Sequence, residues 1–216
     1  MICNTIIFDL DGTLLNTLDD LKDSVNYALN VANYPARTID DIRNFVGNGV
    51  KVLIDRAVPT GTSPEDSSKC LETFRKYYVN NMQNKTCPYD GVYDLLKCLY
   101  ERGYKLAIVS NKNDAAVKAL SKEYFGEFIQ VAIGESPEVA KKPAPDSVYH
   151  ALSDLGSMKE QAIYVGDSDI DVHTAHNAGL ICVSVTWGFR DRDVLEAEGA
   201  DVIIDKPEAL LDYLSR

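Results

Sequence analysis

The sequence predicts an α/β fold in which a parallel sheet, covered by helices on both faces, is interrupted after its first strand by an all-helical insertion. Three observations predict it. Ile6-Ile7-Phe8 is a short apolar run without alternation, the pattern of a strand buried on both faces of a parallel sheet. From about residue 15 to 84, apolar residues recur at three- and four-residue steps with no strand pattern between them. From Pro88 onward, short apolar runs alternate with helical segments, as repeated strand–helix units with right-handed crossovers require.

The helical stretch opens with Leu18, Leu21, Val25, Ala28, Leu29 and Ala32 on one face, and Thr17 with Asp20 three residues later predicts a capping box. Pro35 closes that region. Further helices are expected over about 38–45, behind Gly47-Asn48-Gly49, and over about 65–82, where Cys70, Leu71, Phe74, Tyr77 and Tyr78 form an apolar side. Pro59, Gly61, Ser63 and Pro64 mark a loop. The alternating part predicts helices over 92–102, 114–124, 146–155, 170–178 and 207–214. Its strands are expected over 105–109, 128–133, 162–165, 181–185 and 201–204. The result is a Rossmann-like doubly wound core over 1–14 and 86–216, with a helical cap domain over 15–85. The two joints, near 14–17 and 84–89, would act as a hinge pair, the alternative being a fixed helical subdomain.

The 216 residues suffice for such a core plus a small insertion, and 45% hydrophobic and 25% charged content is ordinary for a globular protein. A formal net charge of −11 argues against nucleic acid or an anionic membrane as the main partner. It also means that an anionic substrate needs local positive charge or a bound metal. No window is long and apolar enough for a membrane span, and no positive segment precedes the first apolar run, so neither a membrane anchor nor a signal peptide is expected. Five scattered cysteines (Cys3, Cys70, Cys87, Cys98, Cys182) show neither zinc nor disulfide spacing, which fits reduced thiols in a cytoplasm.

Polar clusters follow the apolar strands. Asp9 and Asp11 come directly after the first one, with Gly12 for a tight turn and Thr13 as a hydroxyl able to hold a carboxylate. Paired carboxylates drive each other's pKa values apart, so one can bind a cation or attack while the other moves a proton. An isolated Asp-x-Asp equally caps a turn. Ser110 and Asn111 end the second core strand, where a hydroxyl and backbone N–H groups can hold phosphate oxygens or simply cap the next helix. Lys141-Lys142-Pro143-Ala144-Pro145 can aim one ammonium, though a lysine pair alone is usually solvated. Gly166-Asp167-Ser168-Asp169-Ile170-Asp171 is a second acidic cluster after an apolar strand. Helix capping explains Ser168 and Asp169 but not the acid at the strand end.

In order and type, these four segments resemble the four motifs of the haloacid dehalogenase superfamily of phosphohydrolases, spanning residues 6 to about 179. Phe45-Val46-Gly47-Asn48-Gly49-Val50 and Pro88-Tyr89-Asp90-Gly91-Val92 further resemble the cap and cap exit of the phosphoglycolate phosphatase-like subgroup. The resemblance implies a Mg²⁺-dependent phosphomonoesterase for a small phosphorylated metabolite. In it Asp9 is the nucleophile that forms an aspartyl-phosphate, and Asp11 is the general acid and base. It implies Mg²⁺ ligation by Asp9, the main-chain carbonyl of Asp11 and Asp167, with Thr13 and Asp171 supporting that shell. Ser110, the Asn111 backbone and Lys142 hold the phosphoryl group. Lys142 rather than Lys141 is chosen because the family's lysine precedes the first of the two prolines. Gly47, Asn48 and Gly49 either present backbone donors to a substrate carboxylate or merely start a helix.

Trp187-Gly188-Phe189-Arg190 follows the strand expected over 181–185 and either brings Arg190 near the site or leaves it a solvated loop arginine, the safer reading; His173 and His176 read as surface or packing residues without a third ligand. Other activities remain open on the same core: a phosphomutase of the β-phosphoglucomutase type, and a pyrophosphatase or nucleotidase. A dehalogenase is disfavoured, since halide departure needs no Asp11. The non-enzyme alternative is a phosphoryl-accepting signalling module, which needs neither Asp11 nor a helical lid.

Overall fold

The computed structural model describes residues 3–215. The elements in chain order are β1 (Thr5–Phe8), β2 (Leu15–Asn16), α1 (Leu18–Val31), α2 (Ile39–Phe45), α3 (Val50–Ala57), α4 (Pro64–Tyr78), β3 (Cys87–Pro88), α5 (Val92–Glu101), β4 (Lys105–Asn113) and α6 (Asp114–Phe125). There follow β5 (Val131–Glu135), α7 (Asp146–Asp154), a 3₁₀ turn (Lys159–Gln161), β6 (Ala162–Gly166), α8 (Asp169–Ala178), β7 (Ile181–Val185), α9 (Arg192–Ala197), β8 (Val202–Ile204) and α10 (Glu208–Leu214). The chain divides into two compact units, one formed by residues up to Leu15 and from Pro88 onward, the other by Asn16–Cys87.

The first unit is α/β. Its six-stranded sheet has the order β5-β4-β1-β6-β7-β8, and every neighbouring pair is parallel. All four residues of β1 are buried, as a strand covered on both faces must be, and its run Thr-Ile-Ile-Phe supplies side chains to both sides. Ile7 belongs to one buried apolar cluster with Ala107 and Val109 of β4, Tyr164 of β6, Cys182 of β7, and Val148, Leu152, Val172 and Ala175 of α7 and α8. The chain moves one way from β1 to β4 and β5, then returns to the other side of β1 with β6. The switch point therefore flanks β1, and a crevice at such a point, at the strands' C-terminal ends, is where doubly wound sheets bind ligands.

The second unit is helical. Ser63 accepts a hydrogen bond from Asp66 N at the start of α4, with Pro64 as first helical residue, and Thr38 and Asp41 form a reciprocal capping box on α2. The capping box expected from Thr17 and Asp20 does not form. Thr17 makes no side-chain cap bond, and the buried Asp20 carboxylate instead accepts from Lys85 N, Thr86 N and Thr86 Oγ1. Three long-range donors hold that carboxylate where a capping box would supply one N–H of its own helix.

Two other local expectations shift. The strand expected over 128–133 is β5, Val131–Glu135, because Phe128 is drawn into a turn closed by Phe128 N donating to Phe125 O. The second core strand continues past Ser110 to Asn113 with a register shift against β5. Val109 pairs with Ile133 but Asn113 with Glu135, so β4 carries extra residues at 110–112 that bulge from the ladder.

Candidate active site

The bulge and the ends of β1 and β6 bring the expected residues of the first unit together. Asp9 follows β1 directly, and its N–H donates to Val165 O, 2.8 Å away, which extends the sheet pairing by one residue. Lys142, only 5% exposed, directs its three N–H donors to Asp9 Oδ1 (2.8 Å), Asp171 Oδ1 (2.8 Å) and the Tyr164 hydroxyl (2.9 Å). Tyr164 in turn donates to Asp171 Oδ1 at 3.1 Å. The loop carrying Lys142 is held to the β4 bulge by a reciprocal pair. Asn111 Nδ2 donates to Lys142 O at 3.0 Å, and Lys142 N donates to Asn111 Oδ1 at 2.8 Å. The Asn111 side chain is thus a strut between two site segments. Ser110, also buried, accepts from Lys112 N and keeps its own O–H to give.

Asp171 sits one turn into α8, and its Oδ2 accepts from Asp167 N, Ser168 N and Ser168 Oγ. With Lys142 and Tyr164 on Oδ1, this carboxylate is saturated by protein donors. Asp167 receives Thr13 Oγ1 at 3.1 Å on Oδ1 and Phe189 N at 2.7 Å on Oδ2. Gly12, at φ +92°, lies so close to Asp167 that a Cβ there would overlap its carboxylate.

Carboxylate oxygens of Asp9, Asp167 and Asp171 lie within 4.8 Å of one another, all buried. Burial, resisted by Lys142 and reinforced by Asp171 and Asp11, pushes the Asp9 carboxyl up to about 7. Burial, then Asp171 and Asp9, hold Asp167 well above the usual carboxylate range. Burial works against the Lys142 ammonium, but Asp171 and Asp9 outweigh it and raise it well above its ordinary value. With all three carboxyls ionised, one lysine would leave an excess of negative charge, which adds to burial in raising Asp9 and Asp167. Asp171 is already saturated, so Asp9 and Asp167 are the two carboxylates left to share a cation. An all-oxygen donor pair of this kind suits a hard divalent ion such as Mg²⁺.

Asp11 takes a different position. Its carboxylate is absent from that cluster and pairs with Lys112, Nζ to Oδ1 at 2.8 Å. Gly47, Asn48 and Gly49 belong to the helical unit, where Gly49 is the N-cap of α3 and offers no side-chain cap bond. Arg190 corrects the expectation of a solvated arginine, since its side chain is 14% exposed and Nε pairs with Asp169 Oδ1 at 3.2 Å. His173 and His176 are on the surface, paired with Glu198 and Asp201.

Sequence reasoning passed over Lys112, Tyr164, Trp187 and Phe189. Tyr164 was hidden in an apolar strand. Trp187 and Phe189 act through groups that carry no sequence signature: Trp187 Nε1 donates to Thr13 O at 3.0 Å, and Phe189 uses its backbone N–H. Between them, a Cβ on Gly188 would overlap Asp167 and the Gly12 carbonyl, so the loop after β7 packs directly against the site.

The model of the haloacid dehalogenase-like hydrolase family matches residues 6–185. The chain belongs to that family. It is 36% identical to a phosphoglycolate phosphatase of Mesorhizobium japonicum over 204 residues, covering 92% of this chain and 89% of that one. A phosphoglycolate phosphatase of Haemophilus influenzae is 34% identical over 215 residues, with 96% of each chain covered. A crystal structure of a candidate phosphoglycolate phosphatase from Lactobacillus delbrueckii subsp. bulgaricus superposes with a TM-score of 0.94, at 36% identity and 99% coverage of both chains. This hydrolase therefore has phosphatase relatives over nearly its whole length. No described helix is long and apolar enough to cross a membrane.

Proposed function

We propose that this phosphatase hydrolyses a small phosphomonoester, phosphoglycolate or a close analogue, with Mg²⁺ and through an aspartyl-phosphate on Asp9. The observation that carries the reading is the asymmetry of Asp9. Lys142 binds its Oδ1, while its Oδ2 has no hydrogen-bond partner among the described residues. In this reading Oδ2 attacks phosphorus in line and the ester P–O bond breaks. The leaving oxygen takes a proton from Asp11. Water then attacks the aspartyl-phosphate, Asp11 accepts its proton, and inorganic phosphate leaves with Asp9 restored.

Ser110 Oγ and the Asn111 backbone hold the phosphoryl oxygens. With its three donors engaged, Lys142 acts chiefly by neutralising and aiming Asp9. Asp9, Asp167 and the main-chain carbonyl of Asp11 would hold Mg²⁺, and Thr13 and Asp171 orient them. Bound there, the ion would neutralise the carboxylates and draw charge from the phosphoryl oxygens. Without it, two carboxylates about 4 Å apart repel each other by roughly 4 kcal/mol at an effective dielectric of 20, before a phosphate dianion arrives.

The helical unit serves as the cap, and Gly47-Asn48-Gly49 contributes backbone donors to substrate recognition. Five free cysteines suit a reducing cytoplasm. Phosphate release from a panel of small phosphorylated metabolites tests the reading. Release from phosphoglycolate, dependent on Mg²⁺ and not on an added sugar bisphosphate, is expected. A requirement for the bisphosphate would make the chain a mutase. Unchanged substrate preference after alanine replacement at 47–49 would remove the triplet from recognition.

A further inference from the structure

We propose that Lys112 is the positioning residue for Asp11, the counterpart of Lys142 at Asp9. The proposal rests on the phosphatase reading and extends it to a residue outside the four motif segments as read from sequence. Lys112 is 5% exposed overall and its side chain 4%, so its ammonium is not a surface charge. It reaches Asp11 Oδ1 at 2.8 Å across 101 residues of sequence. Its place is set by the β4 bulge, where extra residues at 110–112 turn one residue each to different tasks. Ser110 Oγ accepts from Lys112 N, Asn111 clamps the Lys142 loop, and Lys112 Nζ reaches Asp11.

The geometry at the two aspartates is parallel. Each has its Oδ1 held by a buried lysine at 2.8 Å, and neither has a described hydrogen bond to Oδ2. Tying Oδ1 fixes the rotation of a carboxyl group about its terminal bond and so decides which oxygen meets the substrate. At Asp9 the remaining oxygen is the one for phosphorus. At Asp11 it is the one that carries the proton to the leaving oxygen as the P–O bond breaks. Burying an ammonium carries a desolvation cost, which a fixed carboxyl orientation gives a reason to bear.

The proposal separates substrates by how much their leaving group needs a proton. Lys112→Met is compared with the unmodified chain, both with Mg²⁺, on p-nitrophenyl phosphate and on whichever of phosphoglycolate and glycerol phosphate the unmodified chain turns over faster. For the alkyl ester kcat should fall about 100-fold, the scale of lost general acid catalysis, with KM little changed. For the aryl ester, whose leaving group departs without protonation, the fall should be at least tenfold smaller. Asp11→Asn should give the same asymmetry, and the double variant no further loss. Lys112→Gln serves the same comparison if Lys112→Met does not fold. Equal losses on both esters, or losses that multiply in the double variant, would overturn the assignment while leaving the phosphatase reading intact. No phosphate from either ester with the unmodified chain would overturn both.

Discussion

Lys142 Nζ lies 2.8 Å from Asp9 Oδ1 and 2.8 Å from Asp171 Oδ1, so one ammonium bridges the residue after β1 to the first turn of α8. The three side chains are almost fully buried, and the bridge balances an acid at the end of β1 and another at the start of α8 with one ammonium. Asp171→Ala should leave Lys142 with only one of its two carboxylate partners and release the N–H groups of Asp167 and Ser168. The expected loss is about 3–5 kcal/mol of stability, as for a broken buried ion pair, read from the midpoint of urea unfolding. A change under 1 kcal/mol would mean that the bridge is dispensable to the fold.

Metal removal should abolish turnover, and Mg²⁺ should stabilise the fold by mass action. At 100 times its Kd the gain is about 2.7 kcal/mol, visible as a rise in Tm. Asp167→Asn should remove most of that rise, since one of the two carboxylates left to a cation is gone. An equal Mg²⁺ response in Asp167→Asn and the unmodified chain would place the ion elsewhere.

The loop after β7 is predicted to be intolerant of added volume. Gly188→Ala puts a methyl group into the space of Asp167 and the Gly12 carbonyl. The expected loss is about 1–3 kcal/mol, the scale of overpacking, together with weaker Mg²⁺ binding by calorimetry. Unaltered binding would show that the loop yields without moving Asp167.

Acid should weaken the helical unit. The Lys85 ammonium beside Asp23 holds that carboxyl below its ordinary value, and Lys51 and Ser67 do the same for Asp55. A folded pKa below the unfolded one contributes stability that is complete above the unfolded value, about 3.9, and is lost as pH falls through the folded one. Helical signal followed in urea should therefore show a lower midpoint at pH 3 than at pH 5. Asp55→Asn should flatten part of that slope, and an unchanged slope would exclude this carboxylate as a contributor.

What was legible in the sequence is what strand ends announce. Apolar runs followed by Asp9, Ser110 and Asp167 located the sheet, and parallel pairing brings those residues to one edge. The helical insertion was legible from its uninterrupted three- and four-residue periodicity. Lys112 was not, because a lysine after Asn111 looks solvated until the register of β4 against β5 reveals the bulge that buries it. Asp20 was misread for the same kind of reason. Local spacing nominated it as a cap, while its partners Lys85 and Thr86 lie more than 60 residues away. The helix Arg192–Ala197 was missed because six residues carry too little periodicity to register.

In the proposed reaction Asp9 takes the phosphoryl group and yields it to water. Rapid quenching during turnover with Mg²⁺, followed by peptide mass spectrometry, tests it most directly. A phosphoryl group is expected on the peptide containing Asp9, absent in Asp9→Asn along with more than about 10⁴-fold of the activity. A phosphoryl group on another residue, or full turnover by Asp9→Asn, would contradict it.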